Sequence, residues 1–150
     1  MSILTSKKQS GFTLLELLIV IVIIGILALL IIPNISSAPK KARDTQRKTD
    51  LRAAQKALEE YYVTNQAYPI VGSPTDIATA LVPLSTGTAA PLKTIPTDPK
   101  NTSPFQYLYN SDGQTFTLTS CLENGSDNGT STVAAVSPCT TRTFQLQQNN

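Results

Sequence analysis

The sequence predicts an α+β fold, in which a long N-terminal helix packs against a small antiparallel β-sheet. Three patterns carry this prediction: an apolar run over Phe12–Ile32, apolar residues at helical spacing from Leu51 onward, and two alternating runs around the turn dipeptide at Asp112. The prediction divides the chain into residues 1–11 as a leader, 12–33 as a hydrophobic transmembrane helix, 34–66 as its amphipathic continuation, and 67–150 as a proline-rich loop and sheet.

The run over Phe12–Ile32 has the composition of a membrane-spanning helix. Of its 21 residues, 17 are Leu, Ile, Val or Phe, and a helix of this length spans about 31 Å, which matches the hydrocarbon core of a bilayer. A secretory signal peptide cut near Ser36–Ala38 and a plain membrane anchor are the alternatives. The run is longer than the usual h-region of about 7–15 residues, which argues against the signal peptide.

Glu16 is the one ionisable residue inside this run. A charge within a spanning segment is costly, so it indicates a function with a specific partner. Cleavage after Gly11 would create an amine at Phe12, one helical turn from the Glu16 carboxylate, and the ion pair can form within one chain or between neighbours. The helix dipole also favours a carboxylate in the first turn.

The segment from Lys7 to Leu17 reads KKQSGFTLLEL. It resembles the cleavage and methylation signal of bacterial type IV pilins and type II secretion pseudopilins, and the resemblance extends with falling strength to Pro69. It implies the pilin fold and a prepilin peptidase that cuts after Gly11 and methylates Phe12. It also implies that Glu16 neutralises the N-terminal amine of a neighbouring subunit during filament assembly.

The resemblance implies a structural role in a helical filament built with related minor pilins or pseudopilins. The filament is either a type II secretion pseudopilus for protein export, which Tyr68, Pro69 and the segment 98–109 favour by similarity, or a type IV pilus for adhesion, motility or DNA uptake. Assembly would use an inner-membrane platform with a separate ATPase. The alternative is a monomeric, membrane-anchored binding module outside the cytoplasm.

The composition argues against an enzyme. The chain has no His, which is the commonest general base and metal ligand in proteins. It also lacks a paired nucleophile and base and a phosphate-binding glycine loop. A formal net charge of +2 without an aromatic or base-reading pattern makes nucleic acid an unexpected partner.

A second helix is predicted after Pro33, which is interpreted either as a kink or as the end of the first helix. Its apolar face consists of Leu51, Ala54, Leu58, Tyr61 and Tyr62. Its basic residues are interpreted as a solvated face of the helix. The alternatives are that these residues bind anionic lipid headgroups, form a charge network between subunits, or bind DNA. The basic residues are Lys40, Lys41, Arg43, Arg47, Lys48, Arg52 and Lys56, with Asp44 and Asp50 among them.

The expected location is the bacterial inner membrane, with one membrane pass and the folded part outside the cytoplasm. The basic stretch after the apolar run argues for the opposite orientation by the positive-inside rule. The cysteine pair, which indicates an oxidising compartment, and the family resemblance favour the outside.

The C-terminal half predicts short elements. Seven prolines between residues 69 and 104 exclude a long helix or a central strand, although a short helix over Thr75–Val82 with Ser73 as its cap fits the pattern. The runs 105–109 and 115–122 predict a β-hairpin, and a third strand is expected over residues 141–146.

Cys121 and Cys139 can form a disulfide that closes a loop of about 19 residues, which contributes about 3 kcal/mol in the loop-entropy model. Two free buried thiols are the alternative. Within that loop, Glu123, Asn124 and Asp127 offer oxygen ligands, and resemblance to the major pseudopilins gives a calcium site as one interpretation. An ordinary surface turn, which uses the same residue types, is the other interpretation. The loop lacks EF-hand spacing, and no cofactor is expected.

Overall fold

The structure is a computed structural model that describes residues 11–35, 37–87, 90–134 and 137–148, and only the backbone of residues 30–35 and 134. The predicted leader up to Ser10, and Ser36 of the alternative cleavage site, lie outside the described residues. The chain divides into two compact units, with the boundary between Ser37 and Ala38.

The first unit contains helix α1, Leu14–Ile35. Its large apolar side chains from Leu14 to Leu29 are exposed on every side of the helix. Thr13 caps the helix, because its Oγ1 accepts a hydrogen bond of 3.2 Å from the backbone N–H of Glu16. Helix α1 continues through Pro33, so this proline lies in the last turn and does not end the helix. In the described part of the chain, no helix combines the length and the apolar character needed to cross a membrane.

The second unit begins with helix α2, Ala38–Asn65. Its buried residues recur every three or four positions and form one stripe along the helix. They are Asp44, Arg47, Leu51, Ala54, Ala57 and Leu58. The helix ends where Gln66 adopts a left-handed conformation with a φ of 56°, and the Gln66 N–H donates to the Tyr62 carbonyl at 2.8 Å.

Within the described residues, five antiparallel strands form one sheet with the order β1-β2-β3-β5-β4. They are β1 Val71–Asp76, β2 Tyr107–Ser111, β3 Phe116–Leu122, β4 Thr132–Ala134 and β5 Arg142–Gln148. The β2–β3 pair confirms the predicted hairpin, and Gly113 in its turn has a φ of 94°, which glycine adopts without strain. The predicted third strand is β5, which pairs with β3 from Phe116 to Leu122.

The core of the second unit lies between α2 and one face of the sheet. Leu51 and Leu58 of α2 pack with Tyr107, Tyr109 and other inward-facing residues of the sheet. Fully burying a side chain of this size stabilises the fold by about 1.5–3 kcal/mol. The antiparallel sheet and its aromatic interface with a helix confirm the predicted α+β fold class.

The short helix expected over Thr75–Val82 has a different start. Strand β1 continues to Asp76, helix α3 spans Ile77–Ala80, and helix α4 follows at Val82–Ser85. The predicted cap at Ser73 is wrong, because the Asp76 carboxylate accepts the hydrogen bond from the first turn. Because β1 continues to Asp76, the helix begins later than expected, and the residue directly before it provides the cap.

Two of the strands were not predicted. Strand β1 contains Pro74 and pairs with β2, but its register is irregular between Val71 and Thr75. Proline is tolerated there because β1 is an edge strand. Strand β4 has only three residues, Thr132–Ala134, which is too short for an alternating pattern to be recognised in the sequence.

Candidate functional site

The residues predicted for processing and assembly lie at the start of α1. Gly11 is exposed and the Phe12 side chain is 75% exposed. Glu16 is the single charged residue in the sequence of α1, and its side chain is also exposed. Within the described residues, no cation forms an ion pair with the Glu16 carboxylate.

The second unit contains a cluster of three basic and three acidic side chains, here named the charge cluster. Its members are Arg43, Asp44, Arg47, Asp98, Lys100 and Glu123. Arg47 lies at its centre and its side chain is fully buried. The Arg47 Nε and Nη2 donate to both oxygens of Asp98 at 2.6 and 3.0 Å. Its Nη1 donates to Asp44 at 2.8 Å and to Glu123 at 2.9 Å, so the buried guanidinium is paired on every side.

Glu123 connects the charge cluster to the end of strand β3. Arg43 donates through Nε and Nη2 to both Glu123 oxygens, each at 2.7 Å, and the Lys100 Nζ lies 2.9 Å from Oε2. The Asp44 carboxylate accepts hydrogen bonds from the backbone N–H of Glu123 at 3.0 Å and of Asn124 at 2.9 Å. Helix α2 is therefore fastened to the chain that follows β3 by side-chain and backbone groups together.

The pKa values of Glu123 and Arg47 shift in the directions that keep these two side chains ionised. The hydrogen bonds from Arg43 hold the pKa of Glu123 well below its ordinary value. Burial lowers the pKa of Arg47, but the hydrogen bonds to Asp98, Glu123 and Asp44 outweigh burial and raise this pKa above the ordinary value. Glu123 and Arg47 therefore stay charged at neutral pH.

A disulfide joins Cys121 and Cys139, whose Cα atoms are 5.1 Å apart, and it confirms the predicted bridge. The residues between them, 121–139, are here named the disulfide loop. Asp127 of this loop accepts a hydrogen bond from the Lys48 Nζ of α2 at 2.6 Å. Burial raises the pKa of Asp127, but the pairing with Lys48 and the hydrogen bond from the Gly129 N–H together outweigh burial, so the pKa lies below the ordinary value.

Strand β5 holds the disulfide loop from the other side. The Arg142 guanidinium donates to the Asn128 side chain at 2.7 Å and to the Gly125 carbonyl at 3.2 Å. The Thr141 hydroxyl donates to the Leu122 carbonyl. The described part of the loop is thus held at several points along its length.

Two family models match the chain. The model of the prokaryotic N-terminal methylation motif matches residues 6–32, and the model of type II secretion system protein G matches residues 34–138. The chain belongs to the type II secretion system protein G family. The predicted membership of the pilin and pseudopilin family is therefore confirmed.

Full-length relatives agree with the family models. The type II secretion system core protein G of Pseudomonas aeruginosa is 38% identical over 82% of this chain and 89% of its own length. The protein of the same name from Vibrio cholerae is 32% identical over 93% of this chain and 97% of its own length. The corresponding Escherichia coli protein is 45% identical over 43% of this chain and 44% of its own length. No solved structure matches the chain significantly.

The protein G family consists of structural pseudopilin subunits and not of enzymes, which confirms the prediction that this chain is not an enzyme. One concave surface among the described residues has a volume of about 240 Å³ and is lined by uncharged side chains such as Thr117, Thr119 and Gln145. These groups include no nucleophile paired with a base.

Two of the three residues predicted as calcium ligands, Glu123 and Asp127, are already paired with basic side chains of the chain. Arg43, Arg47 and Lys100 pair with the Glu123 carboxylate, and the Asp127 carboxylate pairs with Lys48. Nowhere in the described ranges do three His, Cys, Asp or Glu side chains form a group suited to a metal. The described residues therefore give the calcium prediction no support, and no cofactor is positively indicated.

The interpretation of the basic stretch of α2 as a solvated face is wrong at Arg47. This side chain is fully buried, whereas Lys41, Arg52 and Lys56 are exposed as expected. One signal was available in the sequence, since Asp44 and Arg47 continue the three-and-four spacing of the apolar stripe. The acidic partners of Arg47 in the second half of the chain had no such signal.

Proposed function

We propose that this chain is the filament-forming subunit of a type II secretion pseudopilus, which drives protein export across the bacterial envelope. The observation that carries the proposal is the presence, in one chain, of the N-terminal methylation motif over residues 6–32 and of the protein G domain over residues 34–138. The relatives named as core protein G match along most of their length, which supports the same role. The family does not favour a monomeric binding module.

The N-terminal chemistry of the proposal involves three residues. A prepilin peptidase cleaves after Gly11 and methylates the new amine of Phe12, and both residues are exposed in the structure. The new amine pairs with Glu16 of a neighbouring subunit. A carboxylate without a cation is costly in apolar surroundings, and the amine of a correctly placed neighbour removes this cost.

The proposed location follows from the apolar run and the disulfide. Before assembly, Phe12–Ile32 holds the chain in the inner membrane, and the second unit lies outside the cytoplasm. The Cys121–Cys139 bridge supports this orientation, because disulfides persist in oxidising compartments. Related minor pseudopilins, an inner-membrane platform and a separate ATPase are the proposed partners.

A type IV pilus is the second candidate, and the disulfide loop is the observation that favours it. The resemblance to type IV pilins implies a C-terminal loop closed by a disulfide. The two candidates differ in where the filament is found: a pilus can be sheared from the cell surface, whereas a pseudopilus stays within the envelope.

The assembly role is tested by Glu16→Ala in cells that carry the complete secretion machinery. The variant should be inserted and cleaved normally, but cross-linking of envelope fractions should recover few filaments. Glu59→Ala serves as a matched control, because Glu59 is an exposed acidic residue of α2 outside the proposed contact. A normal filament yield from Glu16→Ala would contradict the proposal.

A further inference from the structure

We propose that this chain supplies its own cations where the family resemblance gives a calcium site as one interpretation. The basic side chains Arg43, Arg47 and Lys48 of α2, together with Lys100, hold the disulfide loop and the adjoining end of β3 by direct ion pairs. The loop therefore keeps its conformation without a divalent cation. The inference concerns the second unit alone and does not depend on the proposed function.

The first argument is the balance of charge. The charge cluster and the Lys48–Asp127 pair together contain four cations and four anions. The anions are Asp44, Asp98, Glu123 and Asp127. Calcium sites in proteins owe their affinity to an excess of carboxylates over neighbouring cations. Here that excess is zero, so these side chains present no net negative charge to attract a divalent cation.

The second argument is that the carboxylate oxygens already have partners. One Asp127 oxygen accepts from the Lys48 Nζ at 2.6 Å, and the other accepts from the Gly129 N–H at 2.9 Å. The Asn124 Oδ1 accepts from the Ser126 N–H at 3.2 Å. Each Glu123 oxygen has two basic partners, Arg43 and Arg47 at Oε1 and Arg43 and Lys100 at Oε2, so a metal ion would have to displace one of them. At Asp127 it would compete with the Lys48 ammonium.

The third argument is burial, which separates these ion pairs from ordinary surface salt bridges. The side chains of Arg47 and Asp98 are both fully buried, and the Glu123 side chain is only 5% exposed. The Lys48 and Asp127 side chains are each 18% exposed. Pairs shielded to this degree are weakly screened by salt, so they can hold the loop continuously.

The first test adds calcium alone, or a chelator, to the full chain in mild detergent and follows thermal unfolding. All five tyrosines lie in the second unit, so their near-ultraviolet circular dichroism reports this unit alone. We expect the same Tm with millimolar calcium and with the chelator. A calcium-specific rise in Tm that magnesium does not reproduce would overturn the proposal, since an ion at ~100 times its Kd raises Tm by about 10 °C or more.

The second test removes one cation. Lys48→Met leaves Asp127 without its cation, and hydrogen exchange of the backbone N–H groups between residues 124 and 130 should become severalfold faster. Exchange within β3 should not change. Lys56→Met is the matched control, because Lys56 lies on the same helix, is exposed and has no ion pair within the described residues.

The outcomes of the second test separate the two accounts of the loop. Faster exchange in Lys48→Met but not in Lys56→Met supports a loop held by the cations of the chain. Equal exchange in the wild type and in Lys48→Met would overturn the proposal, because the ion pair would then have no part in holding the loop.

Discussion

The two long helices use charge in opposite ways. Helix α1 has one charged residue, Glu16, and its other described side chains, from Leu14 to Leu29, are apolar. Helix α2 has many charged residues, and one of them, Arg47, is among the most deeply buried side chains of the second unit. The described apolar side chains of α1 are exposed, whereas the central charges of α2 are paired within the second unit. The first helix is suited to contacts outside the chain, and the second to stability within it.

The largest loss of stability is expected from Arg47→Met, which removes the buried cation of α2. The change leaves Asp98 and Asp44 buried without their cation, and removal of one partner of a buried ion pair costs about 3–5 kcal/mol. Urea unfolding, followed by the tyrosine circular dichroism, measures the loss. Arg52→Met is the control and should cost less than ~1 kcal/mol, because Arg52 is exposed. Equal stability of the two variants would show that the buried ion pairs of Arg47 do not stabilise the fold.

The second-largest loss of stability is expected when the disulfide is reduced. Reduction of Cys121–Cys139 removes a cross-link between residues 18 positions apart, and we expect the free energy of unfolding to fall by about 3 kcal/mol. Urea unfolding with and without a reducing agent measures the difference. The double variant Cys121→Ser with Cys139→Ser is the control and should not respond to the reducing agent. A wild-type chain that also fails to respond would contradict the prediction.

The third prediction concerns the pH dependence of the stability that Glu123 contributes. The pKa of Glu123 in the folded protein lies below the ordinary value. The contribution of Glu123 to the free energy of unfolding is therefore complete above about pH 4.3, the ordinary pKa of Glu. This contribution is lost progressively as the pH falls toward the pKa of the folded state. At neutral pH, Glu123→Gln should cost about 1.5–3 kcal/mol. Urea unfolding of both proteins across this range should show a difference that shrinks only in acid. A difference that instead shrinks between pH 5 and 7 would be inconsistent with the described ion pairs.

The smallest effect is expected in the β2–β3 turn. Gly113→Ala places a Cβ 3.1 Å from Ile70 Cγ1 at a φ of 94°, and the left-handed conformation costs a non-glycine residue about 1 kcal/mol. Gly72→Ala is the control, since its Cβ would meet nothing within 4 Å. A loss of stability in urea unfolding that is as large for Gly72→Ala would show that the turn geometry is not the cause.

The elements that could be predicted from the sequence are those that depend on residues close together in the chain. The stripe of α2, the β2–β3 hairpin with Gly113 in its turn, and the disulfide all depend on spacing or on residue types close together in the chain. Strand β1 was not predicted, because Pro74 argues against a strand unless the strand is known to lie at an edge. Edge position is a property of the complete sheet.

The charge cluster was not predicted because its partners are far apart in sequence. Arg47 meets Asp98 and Glu123, which are 51 and 76 residues away. The calcium interpretation also depended on local sequence, since Glu123 and Asp127 offer suitable oxygens when their distant basic partners are not considered. Only the folded chain shows that basic residues of α2 already bind them.

The most direct test of the proposed filament role is mass spectrometry of the N-terminal peptide of this protein in native envelope fractions. The account predicts a peptide that begins at Phe12 with a methylated amine, recovered in cross-linked filaments within the envelope. The same peptide in fibres sheared from the surface would identify a pilus instead of a pseudopilus. An intact Met1 end, or a chain that begins at Pro39 after cleavage behind Ala38, would contradict assembly through a processed N-terminal helix.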